Sequence, residues 1–566
     1  MSKTYDVIVA GAGPIGLFLA GELALAGASV LVLERDMASD GPLKEAPLGF
    51  RGINTLTLEC LSRRGLLDAI FPADKKNLKG MMKPKTDGPG GPGGGKPGMG
   101  GPPASTQIFR KTEGMQFGGH FAGMFFNANK MDLGRWKYRV NGPGMVPGPT
   151  TMATAEAAFG ERASRLGVEV LRGHTLSEIV QGTKEDSKGV EVKVTTTENE
   201  TKTMTARWLV GCDGGKSVVR RTAGFRVEGS EPKFTGYAMR CDLEHAEKLK
   251  PGFVTTDGGL YIAGAFGDTV YLMDADEGKF DRSAPGALSQ EHLQTVLTRV
   301  TGDPDVRITN VRIATSFTDR CRHAMDYRRG RVLLAGDAAH THATFGAQGM
   351  NLGMGDAMNL GWKLAATLRQ EAETKSLDTT LLDTYDAERL PVAAQILEMS
   401  RAQSMAFSPD VYGKAVRSMF QRTIDTVDGT NLFIGLFWGL SQQYDLNVEG
   451  DKASKHPLVG RSAPDFVLDG RDENSDDSLE SPRLNHKLAT GHGLLVDLTA
   501  DDNSPLKELA GTACRVDYLA APAVAEKRGL QAFLVRPDGM VAWAVDEGEA
   551  VDEATLKAAL ARWFAY

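Results

Sequence analysis

The sequence predicts an α/β protein of several domains, and three observations carry that reading. The first 35 residues alternate strand, glycine turn, helix and strand. A second strand-turn-helix unit surrounds residue 336, and strands return after a helical stretch, beyond His456-Pro457. A chain of 566 residues has material for two to four domains, and 41% hydrophobic with 24% charged residues is ordinary for a globular enzyme. The formal net charge of -7 argues against a general nucleic-acid binder, which presents a basic footprint. Met1 to Thr4 lead straight into a strand with no leader pattern, and the apolar run from Leu432 to Leu440 is too short to span a bilayer. Five cysteines (Cys60, Cys212, Cys241, Cys321 and Cys514) are scattered without a CxxC pair or metal-ligand spacing. That usage fits buried thiols in a reducing compartment, so a cytoplasmic protein is expected.

Val7 to Ala10 reads as an apolar strand, Gly11 to Gly16 as a turn, and Leu17 to Ala26 as a helix that Gly27 stops. Ser29 to Leu33 is the second strand. From Pro84 to Pro103, fifteen of twenty residues are Gly or Pro without a Gly-X-Y period, which predicts a flexible loop and not collagen. Val168–Leu171, Val190–Thr195 and Arg207–Val210 read as strands, and Tyr261-Ile262 with Thr269–Met273 as a hairpin around Gly267-Asp268. Together they suggest a second, mixed sheet. Arg331–Leu334 is a further buried strand, followed by a turn at Gly336 and a long helix from about Met354 to Arg369. Residues 380–450 read as mainly helical. Leu494–Asp497, Phe533–Val535, Val541–Trp543 and a closing helix from Glu553 to Trp563 form a separate α/β block.

Three motifs carry chemistry. In Gly11-Ala12-Gly13-Pro14-Ile15-Gly16 the glycines allow a tight turn and close approach of backbone to a pyrophosphate, which sits at the helix N-terminus. Glu34, at the end of the next strand, supplies the acceptor for an adenosine ribose. This motif alone does not separate FAD from NAD. In the second, Gly336-Asp337-Ala338-Ala339-His340 leads to Gly346-Ala347-Gln348-Gly349-Met350-Asn351. That arrangement offers one carboxylate for sugar hydroxyls and several backbone amides for an electron-rich ring edge. The third runs from Ala206 through Gly211-Cys212-Asp213-Gly214-Gly215 to Arg220. There Asp213 can accept from a ribose and Arg220 can meet a phosphate, unless the aspartate only caps a helix.

These residues resemble the class A flavoprotein monooxygenases, the para-hydroxybenzoate hydroxylase family, and within it the three-domain hydroxylases that tailor phenolic polyketides. The motifs stand in the family's order across residues 5–370. The resemblance implies a Rossmann-like FAD-binding domain from residues 1–78, 138–224 and 318–405. It also implies a substrate domain with a mixed sheet from 79–137 and 225–317, a helical connection over 406–454, and a thioredoxin-like domain over 455–566. The last lacks CxxC, so Cys514 is expected to have no redox role. Gly11, Gly13, Pro14, Ile15, Gly16, Glu34 and Arg35 are implied on the FAD pyrophosphate and adenosine, with Asp213 and Arg51 nearby. Gly336 and Asp337 are implied on the ribityl chain, and Gly349, Met350 and Asn351 against the flavin ring. NADPH or NADH would reduce the FAD, and O2 would deliver one oxygen atom to a small aromatic substrate through a flavin C4a-hydroperoxide. With no second dinucleotide fold in the sequence, the nicotinamide donor would bind transiently.

The sequence departs from the family where Ala343 and Thr344 replace prolines, where Leu56 replaces an arginine whose place Arg51 takes, and where Met152 replaces a glutamine. Phe117, His120, Phe121, Met124, Phe125 and Phe126 form an aromatic cluster that fits either a flat ring or ordinary core. His120, Tyr237 and Arg240 are the candidate catalytic residues, able to bind or deprotonate a phenol. His340 and His342 lack a third ligand, so no metal is expected. Baeyer–Villiger insertion, epoxidation and a non-catalytic FAD-binding protein remain open, as does a homodimer. A flavin halogenase is disfavoured because none of the six tryptophans falls in a Trp-x-Trp pair.

Overall fold

The computed structural model describes residues 4–71, 114–145, 147–282, 284, 286–446, 455–473, 481–499 and 504–565. The expected loop at 84–103 and the domain junctions at 78–79 and 454 lie outside them.

Five parallel strands build the N-terminal unit, in the order Val332–Leu334, Thr201–Gly211, Tyr5–Ala10, Val30–Glu34, Glu169–Arg172. They are apolar almost throughout because layers cover both faces: Val7, Ile8, Val9, Val32 and Val210 have no exposed surface. Helix Pro14–Leu25 joins the first two strands and packs on helices Met152–Arg165 and Gln348–Thr374. The strands expected near 168, 190 and 207 all enter this sheet instead of a second one. Val190–Thr196 and Thr201–Gly211 are joined by a short turn and pair antiparallel, and His174–Gln181 adds to them.

The mixed pairing therefore belongs to the first sheet. The second sheet is antiparallel at every pairing, in the order Gly252–Thr256, Gly259–Phe266, Thr269–Asp274, Thr235–Glu244, Arg307–Thr318. Short hairpin turns join three of its strands, and such turns allow only antiparallel neighbours. Alternation divides its side chains. Tyr237, Met239 and Cys241 meet helix Gln290–Thr301 through Leu293, Val296 and Leu297. Gly236, Ala238 and Arg240 point to the opposite face. There Tyr271 and Phe317 join a cluster built on Phe121, Phe126, Phe433 and Phe437.

The long helix starts at Gln348, earlier than its apolar period suggests, and helices Thr380–Phe407, Val411–Ile424 and Val427–Phe437 follow. The C-terminal unit is a four-stranded sheet ordered Val516–Ala520, Gly493–Asp497, Leu530–Val535, Val541–Asp546, with one parallel pairing and two antiparallel ones. Helix Glu553–Trp563 closes it, capped by Asp552, whose side chain accepts from the Ala554 and Thr555 amides. Cys514 is a free, exposed thiol. Among the described residues no helix is long and apolar enough to cross a membrane.

Candidate flavin and substrate site

The glycine turn is fixed by contacts that admit no side chain. Gly11 has φ +106°, and a Cβ there would stand 2.5 Å from the Cys212 carbonyl oxygen; one on Gly16 would stand 2.0 Å from the Gly11 oxygen. Gly13 is different: nothing lies within 4 Å of the Cβ position, so this residue faces open space. It sits at the N-cap of helix Pro14–Leu25, which no side chain caps. An unsatisfied, positive helix end therefore opens onto free volume. Glu34 braces the turn, with Oε2 accepting from the Ala12 amide at 2.7 Å and Oε1 from the Asp36 amide at 2.9 Å. Arg35 is 72% exposed and meets Asp36 at 3.5 Å.

Asp213 caps helix Val218–Thr222 with one oxygen only. Its Oδ2 accepts from the Val218 and Val219 amides at 2.6 and 3.1 Å, while Oδ1 is buried with no partner. A buried carboxylate oxygen left unpaired is costly, and a ribose hydroxyl would satisfy it. Arg220 is not free to meet a phosphate. It donates to the Ala338 and Gly215 carbonyls, both at 2.7 Å, and so ties the Asp213 turn to the Gly336–Ala338 turn.

Gly336, at φ +62°, lies 3.3 Å from the Ile15 side chain by its Cβ position, which brings the second motif onto the first. Asp337 is exposed at this junction amid buried neighbours. The Cβ position of Gly349 is 3.6 Å from His342 Nε2 and 3.8 Å from Asp337 Oδ1, so the two turns flank one cleft. The sequence offers His342 only as a metal ligand. Its Nδ1 contacts the Ala343 carbonyl oxygen at 2.8 Å, its Nε2 is buried without a partner, and burial lowers its pKa. The Met350 side chain packs into the core of the first domain. Asn351 is a clamp: Nδ2 donates to the Gly52 and Ala347 carbonyls at 2.8 and 2.9 Å, and Oδ1 accepts from Asn54 N at 2.9 Å.

That clamp places strand Phe50–Ile53, and with it Arg51, at the cleft. Burial lowers the Arg51 pKa, and the charges of Asp337, Tyr271 and Glu156 oppose the shift. Leu56 does not share this position. It lines, together with Asn351, a partly open space of about 100 Å³. Met152 opens helix Met152–Arg165, whose cap is Thr151.

His340 belongs to a buried network with Asp356 and Arg389. Its Nε2 lies 2.7 Å from Asp356 Oδ2, and Asp356 Oδ1 accepts from Arg389 Nε at 2.8 Å. Burial opposes charge on Asp356, yet His340 and Arg389 hold its carboxyl below the usual range. Asp356 Oδ2 also accepts from the Gly336 amide at 3.0 Å, so the network positions the Asp337 turn.

The three candidate catalytic residues do not come together. His120 stands in the aromatic cluster, 4.6 Å from the Phe253 ring, and burial pushes its pKa down to about 4. Its Nδ1 accepts from the Gly123 amide at 3.3 Å, which leaves the proton of the neutral ring on Nε2. It can donate to a substrate oxygen but is not placed as a base. Tyr237 leaves the candidate set because strand alternation turns it onto the helix-covered face. Its hydroxyl meets His292 Nε2 at 3.1 Å and its ring packs edge-on to Phe280. Arg240 leaves it because it is 40% exposed and held by Asp268 at 2.9 Å. Tyr271, Phe253 and Phe317, on the opposite face from Tyr237, were missed in sequence. The Phe317 ring lies directly over Gly236, where a Cβ would stand 2.2 Å from it.

The unpartnered Asp213 Oδ1 and His342 Nε2, the uncapped helix and the space over Gly13 fit FAD. Comparison with known proteins agrees. A family model described as an FAD binding domain matches residues 4–400, and one described as the C-terminal part of aromatic-ring hydroxylases matches 456–566. A monooxygenase from Claviceps purpurea is 39% identical over 99% of this chain and 97% of its own. A rifampicin monooxygenase from Streptomyces venezuelae is 30% identical over 99% of this chain and 98% of its own. The solved structure of the anhydrotetracycline hydroxylase OxyS from Streptomyces rimosus superposes with a TM-score of 0.75 at 31% identity, covering 100% of both chains. With its cleft shaped for FAD and its length matched from end to end, the chain belongs to the FAD-dependent aromatic-ring hydroxylases, monooxygenases that use NAD(P)H and O2.

Proposed function

We propose that the protein hydroxylates a flat, multi-ring phenol held between the FAD cleft and the open aromatic face of the antiparallel sheet. The observation that supports this reading is the packing beside the cofactor turn: Ala343 and Phe345 belong to one cluster with Phe121 and Phe126, and Phe253, Tyr271 and Phe317 of the sheet pack against it. Two of the similar proteins are named for anhydrotetracycline and rifampicin, which favours a large ring system over a single phenol.

Held at Asp213, Asp337 and the N-terminus of helix Pro14–Leu25, FAD would supply the redox chemistry, with NAD(P)H as electron donor and O2 as the source of the oxygen atom added to an electron-rich ring carbon. The chain's own residues orient and desolvate the substrate. Phe125 and Phe253, edge to face at 6.0 Å, give an aromatic wall, and Phe317 adds its ring over Gly236 on the same face of the sheet. His120 Nε2 donates to the phenol oxygen, and the Arg51 guanidinium favours the phenolate, the more nucleophilic form of the ring.

The test is oxygen uptake and NADPH oxidation by the FAD-loaded protein across a panel of multi-ring phenols, with product masses after reaction under isotopically labelled O2. At least one compound should stimulate turnover and gain a single labelled oxygen. No stimulation across the panel, or label arriving from water, would overturn the proposal.

A further inference from the structure

Next to the aromatic cluster lies an open groove of about 890 Å³, lined by strand Gly252–Thr256, the end of helix Gln290–Thr301 and helix Val411–Ile424. Two elements touch both the groove and the cluster. On the strand, Phe253 packs on His120, and Thr255, two positions on and so on the same face, lines the groove. On the helix, Phe420 packs on Phe121 at 4.6 Å, while Arg417 and Gln421, one step round the helix, line the groove. The groove is the outer lip of the aromatic cluster.

Its charge is cationic after internal pairing. Asp274 neutralises Arg299, and Asp257 meets Lys414 at 2.9 Å. Arg417 and Arg422 remain, and among the described residues neither has a carboxylate partner. Arg417 is half-buried and donates to the Ala122 carbonyl at 2.6 Å; Arg422 is exposed. The Thr255 hydroxyl is buried with no hydrogen-bond partner. Two guanidiniums without a carboxylate partner among the described residues, and a hydroxyl without a hydrogen-bond partner, are an acceptor-seeking set around one concavity.

We propose that this groove seats a carboxylate of the substrate whose rings occupy the adjoining cluster, so that the preferred substrates are aromatic acids with the anion at the end far from the flavin. The proposal rests on the multi-ring phenol reading. Arg417 and Arg422 meet the carboxylate, and Thr255 donates to it.

The test is calorimetric titration of the FAD-loaded full chain with anthraquinone-2-carboxylate and with its methyl ester. The wild type should bind the acid at least tenfold more tightly, and high salt should narrow the gap. Arg422→Glu, at a side chain with no charged partner among the described residues, should abolish the preference and leave ester affinity unchanged. Arg417→Gln should reduce it as well. Equal wild-type affinities, or a preference that survives Arg422→Glu, would overturn the groove while leaving the aromatic reading standing. If neither compound binds, the aromatic reading of the cluster fails and this proposal with it. A raised KM for NADPH in Arg422→Glu with an intact acid preference would assign the groove to the dinucleotide phosphates instead, which also overturns it.

Discussion

Arg536 and Glu388 meet in two hydrogen bonds, 2.8 and 2.7 Å, that join the C-terminal domain to helix Thr380–Phe407. Lys363 approaches the same carboxylate at 2.9 Å, and Asp538 also pairs with Arg536, all fully buried or nearly so. Arg536→Met should leave Glu388 and Asp538 short of positive charge, and removing one member of a buried pair costs about 3–5 kcal/mol. Urea unfolding should show that loss, with the C-terminal domain released first. A midpoint within error of the wild type would mean the pairing does not hold the domains together.

The same pairing sets acid sensitivity. Burial opposes charge on Glu388, but Arg536 and Lys363 hold its carboxyl well below the ordinary 4.5; Glu22 is held low in the same way by Arg64 and Arg162. Groups with a lowered folded pKa stabilise fully above their unfolded value and lose that contribution as pH falls through it. Stability should therefore drop steadily below pH 4.5. Lys363 runs the other way: burial lowers its pKa to about 8, so its penalty is relieved as pH rises from 8 towards 10.5. Thermal unfolding across both windows, in the wild type and in Glu388→Gln, checks the assignment. The variant should show a shallower acid slope.

His120 and Tyr237 should behave oppositely. His120→Phe removes the Nε2–H donor beside Phe253 and should lower kcat/KM by roughly tenfold, the worth of one hydrogen bond in a partly dry site. With a pKa near 4, His120 stays neutral, so it should add no step to the rate profile between pH 6 and 8. Tyr237→Phe, which loses only the His292 contact, should keep kcat/KM within about twofold. A large loss in Tyr237→Phe with an intact fold would return it to the reacting site.

The local motifs were legible because their chemistry is local. The glycine turn, Asp213 and Asp337 each follow a strand within a few residues, and the apolar period of Glu553–Trp563 gives that helix its bounds. What sequence hides is partnership across distance. Tyr237 is a plausible phenol binder until helix Gln290–Thr301 claims its face of the sheet, and nothing within strand Thr235–Glu244 says which face that will be. Arg220 looks like a phosphate ligand until the Ala338 carbonyl, 118 positions away, takes its guanidinium. Arg536 and Glu388 stand 148 positions apart, and only the docked domains reveal them as a pair.

Asp213 and Asp337 should both matter to cofactor retention, for different reasons. Asp337→Ala removes an exposed acceptor from the cleft, and a charged hydrogen bond is worth about 1.5–3 kcal/mol, so FAD should bind about ten- to a hundredfold more weakly. Asp213→Asn keeps an oxygen for the helix cap and should cost less. Equilibrium dialysis reads both. Full FAD occupancy in Asp337→Ala after extensive dialysis contradicts its role.

The last prediction concerns control of reduction. Reduced flavin exposed to O2 without substrate wastes NADPH as hydrogen peroxide, so coupling needs reduction to wait for the substrate. The segment beside the expected ring has the means to shift. Gly346 and Ala347 both hold positive φ, +77° and +55°, and in alanine that conformation costs about 1 kcal/mol or more. Thr344, just before them, has φ -70°, the value that proline fixes, so Thr344→Pro stiffens the approach to the turn without bending it. Ala347→Gly has the reverse effect, releasing strain and adding freedom. Anaerobic stopped-flow reduction by NADPH should be slow in the wild type alone and faster with a bound aromatic substrate. Both variants should change that ratio severalfold while FAD affinity moves less than threefold. Equal wild-type reduction rates with and without substrate would sink the gating idea, and an unchanged ratio in both variants would move the gate away from this turn.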